Sequence, residues 1–155
     1  KSGTAFFSSG ELLTTTGKKA PAYIYSHLTM DKLQEEAVVV LQGIQYPYDK
    51  AIITDTARRV LDKLFKILEQ YPEMEIELRS HTDCKGDAGY NLELSQGRAD
   101  AAAAYLISKG IQRSRVTANG YGEREPKVQC EPCSACSDMA HQQNRRTEFK
   151  VIKLN

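Results

Sequence analysis

An aspartate and an arginine in the middle of the chain are the residues best suited to bind a charged ligand. Asp83 follows an alternating segment, Glu75–Arg79, that predicts a half-buried strand, and Arg98 lies in the alanine-rich helix predicted after it. Loops between strand ends and helix starts commonly bind ligands. A fixed carboxylate close to a fixed guanidinium suits a zwitterion, that is, a ligand end that carries both an ammonium and a carboxylate.

Spacing alone leaves two other interpretations of this pair open, and it favours the first. In the first, Asp83 is a turn residue and Arg98 is a solvated helix residue. In the second, the two form an ion pair that preorganises both groups for a ligand. His81 lies two residues before Asp83, so both side chains point to one side of the strand. A His-x-Asp pair can act as a general base or a metal ligand, but a hydrogen-bonded structural role is preferred.

The four cysteines are the second feature with chemical potential. Their number is even and three of them lie within seven residues, which is compatible with disulfides in an oxidising compartment: Cys84, Cys130, Cys133 and Cys136. Steps of three are equally compatible with a zinc site completed by Cys84 or His141. The usual pair-and-pair arrangement of a zinc site is missing, so two disulfides are preferred. Four cysteines allow three pairings, and spacing does not choose among them.

Length and composition are those of an ordinary globular domain. The chain has 155 residues, of which 41% are hydrophobic and 26% are charged. A net charge of +1 gives no electrostatic reason to expect nucleic acid or an anionic membrane as partner. No apolar run approaches the roughly 18 to 20 residues that cross a bilayer. Residues 1–30 are expected to be either the tail of a preceding module or an ordered extension of the main domain, which is expected to span residues 36–155.

Hydrophobic periodicity predicts an α/β (α+β) fold. Two amphipathic helices are expected, one with an apolar face between Ala57 and Leu68 and one ending at Lys109-Gly110, with a helical turn near Met139–Gln143. The second helix is expected after a polar loop that contains Gly86, Ala88 and Gly89. The predicted strands are Ala37–Leu41 continuing to about Tyr46, Glu75–Arg79, Val116–Asn119 and Thr147–Ile152. The order β-α-β-α-β-(loop/short α)-β predicts a two-layer sandwich with both helices on one face of a mixed four-stranded sheet.

Several separated motifs identify the sequence as resembling the OmpA-like C-terminal domain. They occur in that family's order and spacing: His81-Thr82-Asp83, Tyr90-Asn91, Leu94-Ser95, Arg98-Ala99, Gly120-Tyr121-Gly122-Glu123 and Asn144-Arg145-Arg146. The resemblance covers about Glu36 to Lys153. The family is the periplasmic peptidoglycan-binding domain of outer-membrane proteins and lipoproteins. The pattern Cys130-x5-Cys136 followed by His141-Gln142-x-Asn144 resembles the Bacteroidetes branch, in which such domains often close multi-module lipoproteins.

The resemblance implies non-covalent binding of the peptidoglycan stem peptide through meso-diaminopimelate. By matching positions, Asp83 would hold the ammonium of that residue and Arg98 its carboxylate. The other implied contact positions are Tyr48, Asp49, Thr82, Asn91 and Arg145. Arg145 is expected to reach the ligand carboxylate from the far side, whereas Arg146 is expected to be a structural ion-pair partner. Asn144 is expected to cap or turn the backbone.

The branch pattern also implies a disulfide between Cys130 and Cys136. This leaves Cys84 to pair with Cys133, which would tie the long loop beside Asp83. The implied function is to anchor a larger protein to the cell wall, in the periplasm and tethered to the outer membrane through the full-length protein. Further envelope or secretion-machinery proteins are expected partners of the missing modules. Neither catalysis, a cofactor nor a metal is expected.

Two functions of other classes compete with this interpretation. One is a cell-wall hydrolase that uses His81 and Asp83, but the sequence shows no nucleophile-and-base constellation. The other is a protein-interaction domain that has lost the ligand, and the presence of both Asp83 and Arg98 argues against it.

Overall fold

The computed structural model describes residues 4–6, 12–14, 22–23, 34–44, 46 and 50–155. Its helices are α1 (Asp55–Gln70), α2 (Ala88–Ser108) and α3 (Asp138–Asn144). Its strands, in chain order, are β1 (Thr4–Phe6), β2 (Leu12–Thr14), β3 (Ala22–Tyr23), β4 (Val38–Val40), β5 (Glu75–His81), β6 (Val116–Gly122) and β7 (Thr147–Lys153).

The predicted fold class is confirmed. The sheet has the strand order β3-β4-β7-β5-β6, in which β7 is antiparallel to both of its neighbours and β5 is parallel to β6. The four predicted strands therefore form the expected mixed sheet. The two-residue strand β3 adds a parallel neighbour to β4 at one edge, and β1 and β2 pair with each other. How the rest of residues 1–30 is organised lies outside the described residues.

Alternation along β5 explains why the sheet has one apolar face and one polar face. Ile76 and Leu78 are buried in the core, whereas Glu77 and Arg79 take the other face. The helical periodicity of α1 packs Leu61, Leu64 and Leu68 into that core, together with Phe149 of β7. Each such side chain contributes roughly 1.5–3 kcal/mol when fully buried.

Helix α2 lies directly on strand β6, and this contact sets the position of the central arginine. An added Cβ at Gly120 would lie 2.2 Å from the backbone nitrogen of Gln96, so only glycine permits the approach. The side chain of Gln96 accepts from Gly120 N at 2.8 Å and donates to Ala118 O at 3.1 Å. The hydroxyl of Ser95 accepts from Gly122 N at 2.8 Å. These bonds occupy backbone groups of a strand that lies at the edge of the sheet formed by the described residues.

Three predicted boundaries are corrected. Helix α2 begins at Ala88, because the Asp87 side chain accepts from Tyr90 N at 2.9 Å and caps it, so Ala88 and Gly89 form its first turn and not a loop. Strand β4 ends at Val40, not near Tyr46, since the chain turns at Gly43 with φ of 86°. Strand β6 continues to Gly122, three residues beyond Asn119.

The cap predicted for α1 is confirmed at Thr54, whose hydroxyl accepts from Ala57 N at 3.2 Å. At the other end of α1, Arg115 donates to the carbonyls of Leu68, Tyr71 and Met74 at 2.7–3.0 Å. The guanidinium thus satisfies carbonyl groups that the end of the helix leaves without partners.

Candidate functional site

Asp83 lies directly after β5 and is almost completely enclosed. Its side chain is 8% exposed. One carboxylate oxygen accepts from Lys85 N at 3.1 Å, and the other pairs with the guanidinium of Arg145. The imidazole Nδ1 of His141 lies 3.9 Å from that second oxygen. The charge of this buried carboxylate is therefore balanced from within the domain, which is the condition for burying it.

Arg98 is held against the segment that follows β4. It is 7% exposed, and its Nε donates to the carbonyl of Lys50 at 3.1 Å. Its guanidinium lies 5.0 Å from the ring centroid of Tyr46, and the Tyr46 hydroxyl donates to the Arg98 carbonyl at 3.3 Å. Burial raises the pKa of Tyr46, so the ring stays neutral under the cation. Sequence reasoning did not assign a role to Tyr46.

A cleft of about 480 Å³ lies beside Arg98, and Asp83 is not among the described residues that line it. The lining includes four cations, Arg98, Lys127, Arg145 and Arg146, and, among the described residues, no carboxylate side chain. Uncharged polar groups come from three glutamines, Tyr46, His81 and Thr147, and apolar groups from the β4 end and from Met139. Met139 is 70% exposed, so it lies at the rim. The lining favours an anionic ligand, because cations in a concave surface reinforce one another's potential.

Arg145 is close to both parts of the predicted site, the one around Asp83 and the one around Arg98. It lines the cleft together with Arg98, and it also makes the ion pair with Asp83. The sequence left an ion pair of Asp83 with Arg98 open as one alternative; in the structure Asp83 pairs with Arg145 instead. The Arg145 side chain is 45% exposed, in contrast to the two enclosed residues.

Two other predicted contact residues hold the loop that carries Asp83. The Asn91 amide nitrogen lies within hydrogen-bond distance of the carbonyls of Asp83 and Lys85 and of the Glu123 carboxylate, at 2.8–3.3 Å. The backbone of Thr82 donates to Gly122 O at 2.9 Å. Both side chains are nearly completely buried. Tyr48 and Asp49, the remaining two predicted contacts, lie outside the described residues.

His81 lies in surroundings that fit the hydrogen-bonded structural role preferred from the sequence. Its Nε2 lies 3.2 Å from Glu148 Oε1, and its ring stacks on Tyr121 with centroids 5.2 Å apart. Burial lowers the pKa of His81, so the imidazole is neutral at pH 7. Burial alone would raise the pKa of Glu148, but the hydrogen bond from His81 and the charge of Arg146 outweigh it and hold that pKa below its usual value.

Two disulfides cross-link the loops around Asp83. Both pairings implied by the resemblance are present, Cys84 with Cys133 and Cys130 with Cys136. The first ties the β5–α2 loop to the segment between β6 and α3, and the second closes a short loop within that segment. Asn144 holds the same segment by exchanging two hydrogen bonds with the backbone of Val128, both at 2.8 Å. Asp83 therefore lies on a loop that is covalently fixed.

Arg146 makes the structural ion pair expected of it. Its Nε donates to Glu148 at 3.1 Å, on the polar face of the sheet.

In the part of the chain that the structure describes, no helix combines the length and apolar character needed to span a membrane.

The chain is similar to known proteins in sequence and in structure. A family model described as the OmpA family matches residues 45–136. Over 111 residues, 71% of this chain and 13% of the relative, the chain is 33% identical to photosystem I P700 chlorophyll a apoprotein A2 of Gloeobacter violaceus. Over 113 residues, 73% of this chain and 64% of the relative, it is 33% identical to a peptidoglycan-associated lipoprotein of Brucella melitensis. The chain thus spans less than two thirds of the length of either relative.

Among solved structures, the chain is similar to the cell wall anchor of the T6SS from Pseudomonas aeruginosa. The two are 25% identical with a TM-score of 0.58, and the match covers 68% of this chain and 73% of that chain.

Proposed function

Because the chain belongs to the OmpA family, we propose that it binds the peptidoglycan stem peptide through meso-diaminopimelate, without catalysis. The names of a peptidoglycan-associated lipoprotein and a cell wall anchor among its relatives support this proposal. The chain then acts as a non-covalent anchor of a longer envelope protein in the periplasm, tethered to the outer membrane. A Bacteroidetes multi-module lipoprotein, with other modules that contact envelope or secretion proteins, is the context that the cysteine pattern favours.

One observation carries the proposal: Arg145 pairs with the buried carboxylate of Asp83, and it lines a cationic cleft together with the buried guanidinium of Arg98. Diaminopimelate ends in an amino-acid head with one ammonium and one carboxylate. Arg98 offers the carboxylate a planar pair of donors, and Asp83 offers the ammonium an acceptor whose charge is already desolvated. Together, the two groups recognise both charges of the amino-acid head and its handedness.

With this geometry, the ligand binds by replacing one ion pair of Asp83 with another. In the structure Arg145 occupies the carboxylate of Asp83, which the ligand ammonium needs. The half-exposed Arg145 side chain is the component that can move, since Asp83 is enclosed and Arg98 is held by Lys50 and Tyr46. The ammonium then replaces Arg145 at Asp83, and Arg145 turns to the ligand carboxylate. The buried carboxylate of Asp83 keeps a cationic partner at both stages, which lowers the free-energy cost of the exchange.

The hydrolase alternative finds less support in the geometry. Its candidate base, His81, is engaged with Glu148 and stacked on Tyr121, and burial lowers its pKa. A general base must lie within hydrogen-bond reach of the proton that it abstracts. His81 lines the cleft, but its Nε2 is already engaged with Glu148. The ligand-free interaction domain is the remaining alternative, and the binding experiment separates it from the proposal.

The test is co-sedimentation of the protein with purified peptidoglycan of two chemotypes. One contains meso-diaminopimelate, and the other contains lysine, which has the ammonium but lacks the side-chain carboxylate. Wild-type protein should sediment with the first and bind the second more weakly. Asp83→Asn should weaken binding to both about tenfold to hundredfold, since a hydrogen bond to a charged group contributes about 1.5–3 kcal/mol.

Arg98→Gln gives the sharper result. It should weaken binding to diaminopimelate peptidoglycan and abolish the difference between the two chemotypes. Asp100→Asn and Arg59→Gln remove the same charges from exposed helix positions and should change nothing. Wild-type protein that sediments with neither chemotype would refute binding. Equal losses on both chemotypes in Arg98→Gln would refute the assignment of the carboxylate.

A further inference from the structure

A buried histidine nitrogen lies beside the Cys84–Cys133 disulfide. His141 is 2% exposed, and its Nδ1 has no hydrogen-bond partner among the described residues. Asp83 is 3.9 Å away, beyond hydrogen-bond distance. The Nδ1 atom and the sulfurs of Cys84 and Cys133 all lie within 4.8 Å of one another. Leaving a buried polar group unsatisfied costs about 1–3 kcal/mol. The Nδ1 of His81 also lacks a partner, but in the part of the chain that the structure describes only the Nδ1 of His141 is grouped with two cysteine sulfurs.

We propose that these three residues form a zinc site when the disulfide is reduced. The reductant, a dithiol or a phosphine, supplies two electrons, and two protons complete the thiols of Cys84 and Cys133. Zn²⁺ then binds both sulfurs as thiolates and the neutral Nδ1 of His141, and the two thiol protons are released to solvent. The binding step itself transfers no electrons. A water molecule takes the fourth position, as in zinc sites with three protein ligands.

The spacing suits zinc once the covalent bond is broken. The two sulfurs are bonded in the disulfide, so they must move apart once that bond is broken. Zn–S bonds of about 2.3 Å at a tetrahedral angle place two thiolates about 3.8 Å apart and leave a nitrogen ligand at about 3.5 Å from each. The Nδ1 atom of His141 already lies within 4.8 Å of both sulfurs. The main movement needed to form the site is therefore the separation of the two sulfurs.

Three features of the surroundings hold the ligands in place without the disulfide. His141 lies on helix α3, which Ser137 caps by accepting from Ala140 N at 3.2 Å. The β5–α2 loop is held by the Asn91 amide nitrogen, which lies within hydrogen-bond distance of the Asp83 and Lys85 carbonyls. Asn144 fixes the segment that carries Cys133 through Val128. Zinc would thus replace the disulfide as the cross-link next to Asp83, before the cysteines are oxidised or after they are reduced.

The test is a metal titration of the Cys130→Ser/Cys136→Ser protein, in which the other two thiols cannot contribute ligands. The protein is reduced with an excess of a phosphine, which unlike a thiol competes little for metal. Co²⁺ is the probe. One equivalent should produce thiolate-to-cobalt charge-transfer absorption and the intense visible bands of tetrahedral Co²⁺, and one equivalent of Zn²⁺ should remove both. The same protein with its disulfide intact should show neither.

His141→Gln distinguishes the proposed site from a pair of thiols that bind metal unspecifically. Loss of a residue that only hydrogen-bonds to a metal ligand lowers metal affinity about tenfold to hundredfold. Because His141 is proposed as a ligand itself, the variant should lower Co²⁺ affinity by more than this. Its circular dichroism in the oxidised state controls for folding. Gln142→Ala, next to it on α3, should leave the titration unchanged. As a second readout on wild-type protein, Zn²⁺ should slow alkylation of Cys84 and Cys133 relative to Cys130 and Cys136.

Two results would overturn the proposal: absence of a charge-transfer band in the reduced double variant, or a band and affinity that His141→Gln leaves unchanged. None of these measurements uses peptidoglycan, so the zinc site stands or fails independently of the proposed function.

Discussion

The two disulfides should contribute unequally to stability, and the structure predicts by how much. A cross-link stabilises mainly by restricting the unfolded chain, and its effect grows with the length of the loop that it closes. Cys84 and Cys133 are separated by 49 positions, whereas Cys130 and Cys136 are separated by 6. The chain-entropy relation gives about 4 kcal/mol for the long loop and about 2 kcal/mol for the short one at 25 °C.

The perturbation is paired replacement, Cys84→Ala with Cys133→Ala, compared with Cys130→Ala with Cys136→Ala. Each double variant removes one cross-link and keeps the other, so the two serve as matched controls. Unfolding in guanidinium chloride, extrapolated linearly to water, measures the loss of free energy. For a domain of this size, a loss of about 4 kcal/mol corresponds to a fall in Tm of about 8–16 °C. The short-loop variant should lose about half as much.

The result that would refute this reasoning is a loss in the short-loop variant equal to or larger than that in the long-loop variant. That outcome would mean that native contacts around Cys130 and Cys136 outweigh the difference in chain entropy. An m-value that changes in the long-loop variant is expected, because the uncross-linked unfolded chain exposes more surface. Equal m-values in all three proteins would mean that the unfolded state is equally compact with and without the long cross-link.

Three further predictions concern the helix that carries Arg98 and the polar face of the sheet. Gly97→Ala should stabilise the domain by up to about 1 kcal/mol, since a Cβ there meets Ala51 at an ordinary 3.5 Å and the helix gains a better helix former; a loss of stability in chemical unfolding would contradict this. Gly120→Ala should destabilise it by about 1–3 kcal/mol or more, because its Cβ would lie 2.2 Å from the backbone of Gln96, and an unchanged midpoint would show that α2 can move away from β6 at no cost. Burial lowers the pKa of His81 in the folded protein below the 6.5 of a free histidine. Between these two pKa values the unfolded chain binds more protons than the folded one, so the free energy of unfolding falls as the pH falls. His81→Gln should remove this part of the slope between pH 7.5 and 5.5, whereas the contribution of Glu148, whose pKa is lowered, is lost only at more acidic pH; a slope that the variant leaves intact would place the titrating group elsewhere.

Local patterns were sufficient for most of the fold. Thr54 as a cap, the apolar stripe from Ala57 to Leu68 and the alternation of Glu75–Arg79 each depend on a few neighbouring residues, so they could be predicted without knowing the rest of the chain. The corrected boundaries have different causes. The cap at Asp87 and the turn at Gly43 are local features that the hydrophobic pattern does not show. Strand β6 continues to Gly122 because it pairs with β5 as far as His81, which is a contact with another element.

The candidate site likewise combines groups that could be predicted from the sequence with contacts that depend on the tertiary structure. The family resemblance predicted the candidate ligand-binding groups and implied the two cysteine pairings that the structure shows. They did not indicate which cation pairs with which carboxylate. Asp83 is paired with Arg145, Arg98 lies on Tyr46, and Asn91 holds the loop that carries Asp83.

By itself, the sequence determined the class of fold, the family and the charged groups available to a ligand, because these depend on residue type and on spacing within single elements. Only the tertiary structure decided that Arg145 occupies the carboxylate of Asp83 and that His141 faces the Cys84–Cys133 disulfide. Coulomb attraction and hydrogen bonding change within a few ångströms, and the distance between residues on different elements is set by packing. Spacing along the chain carries no record of that distance.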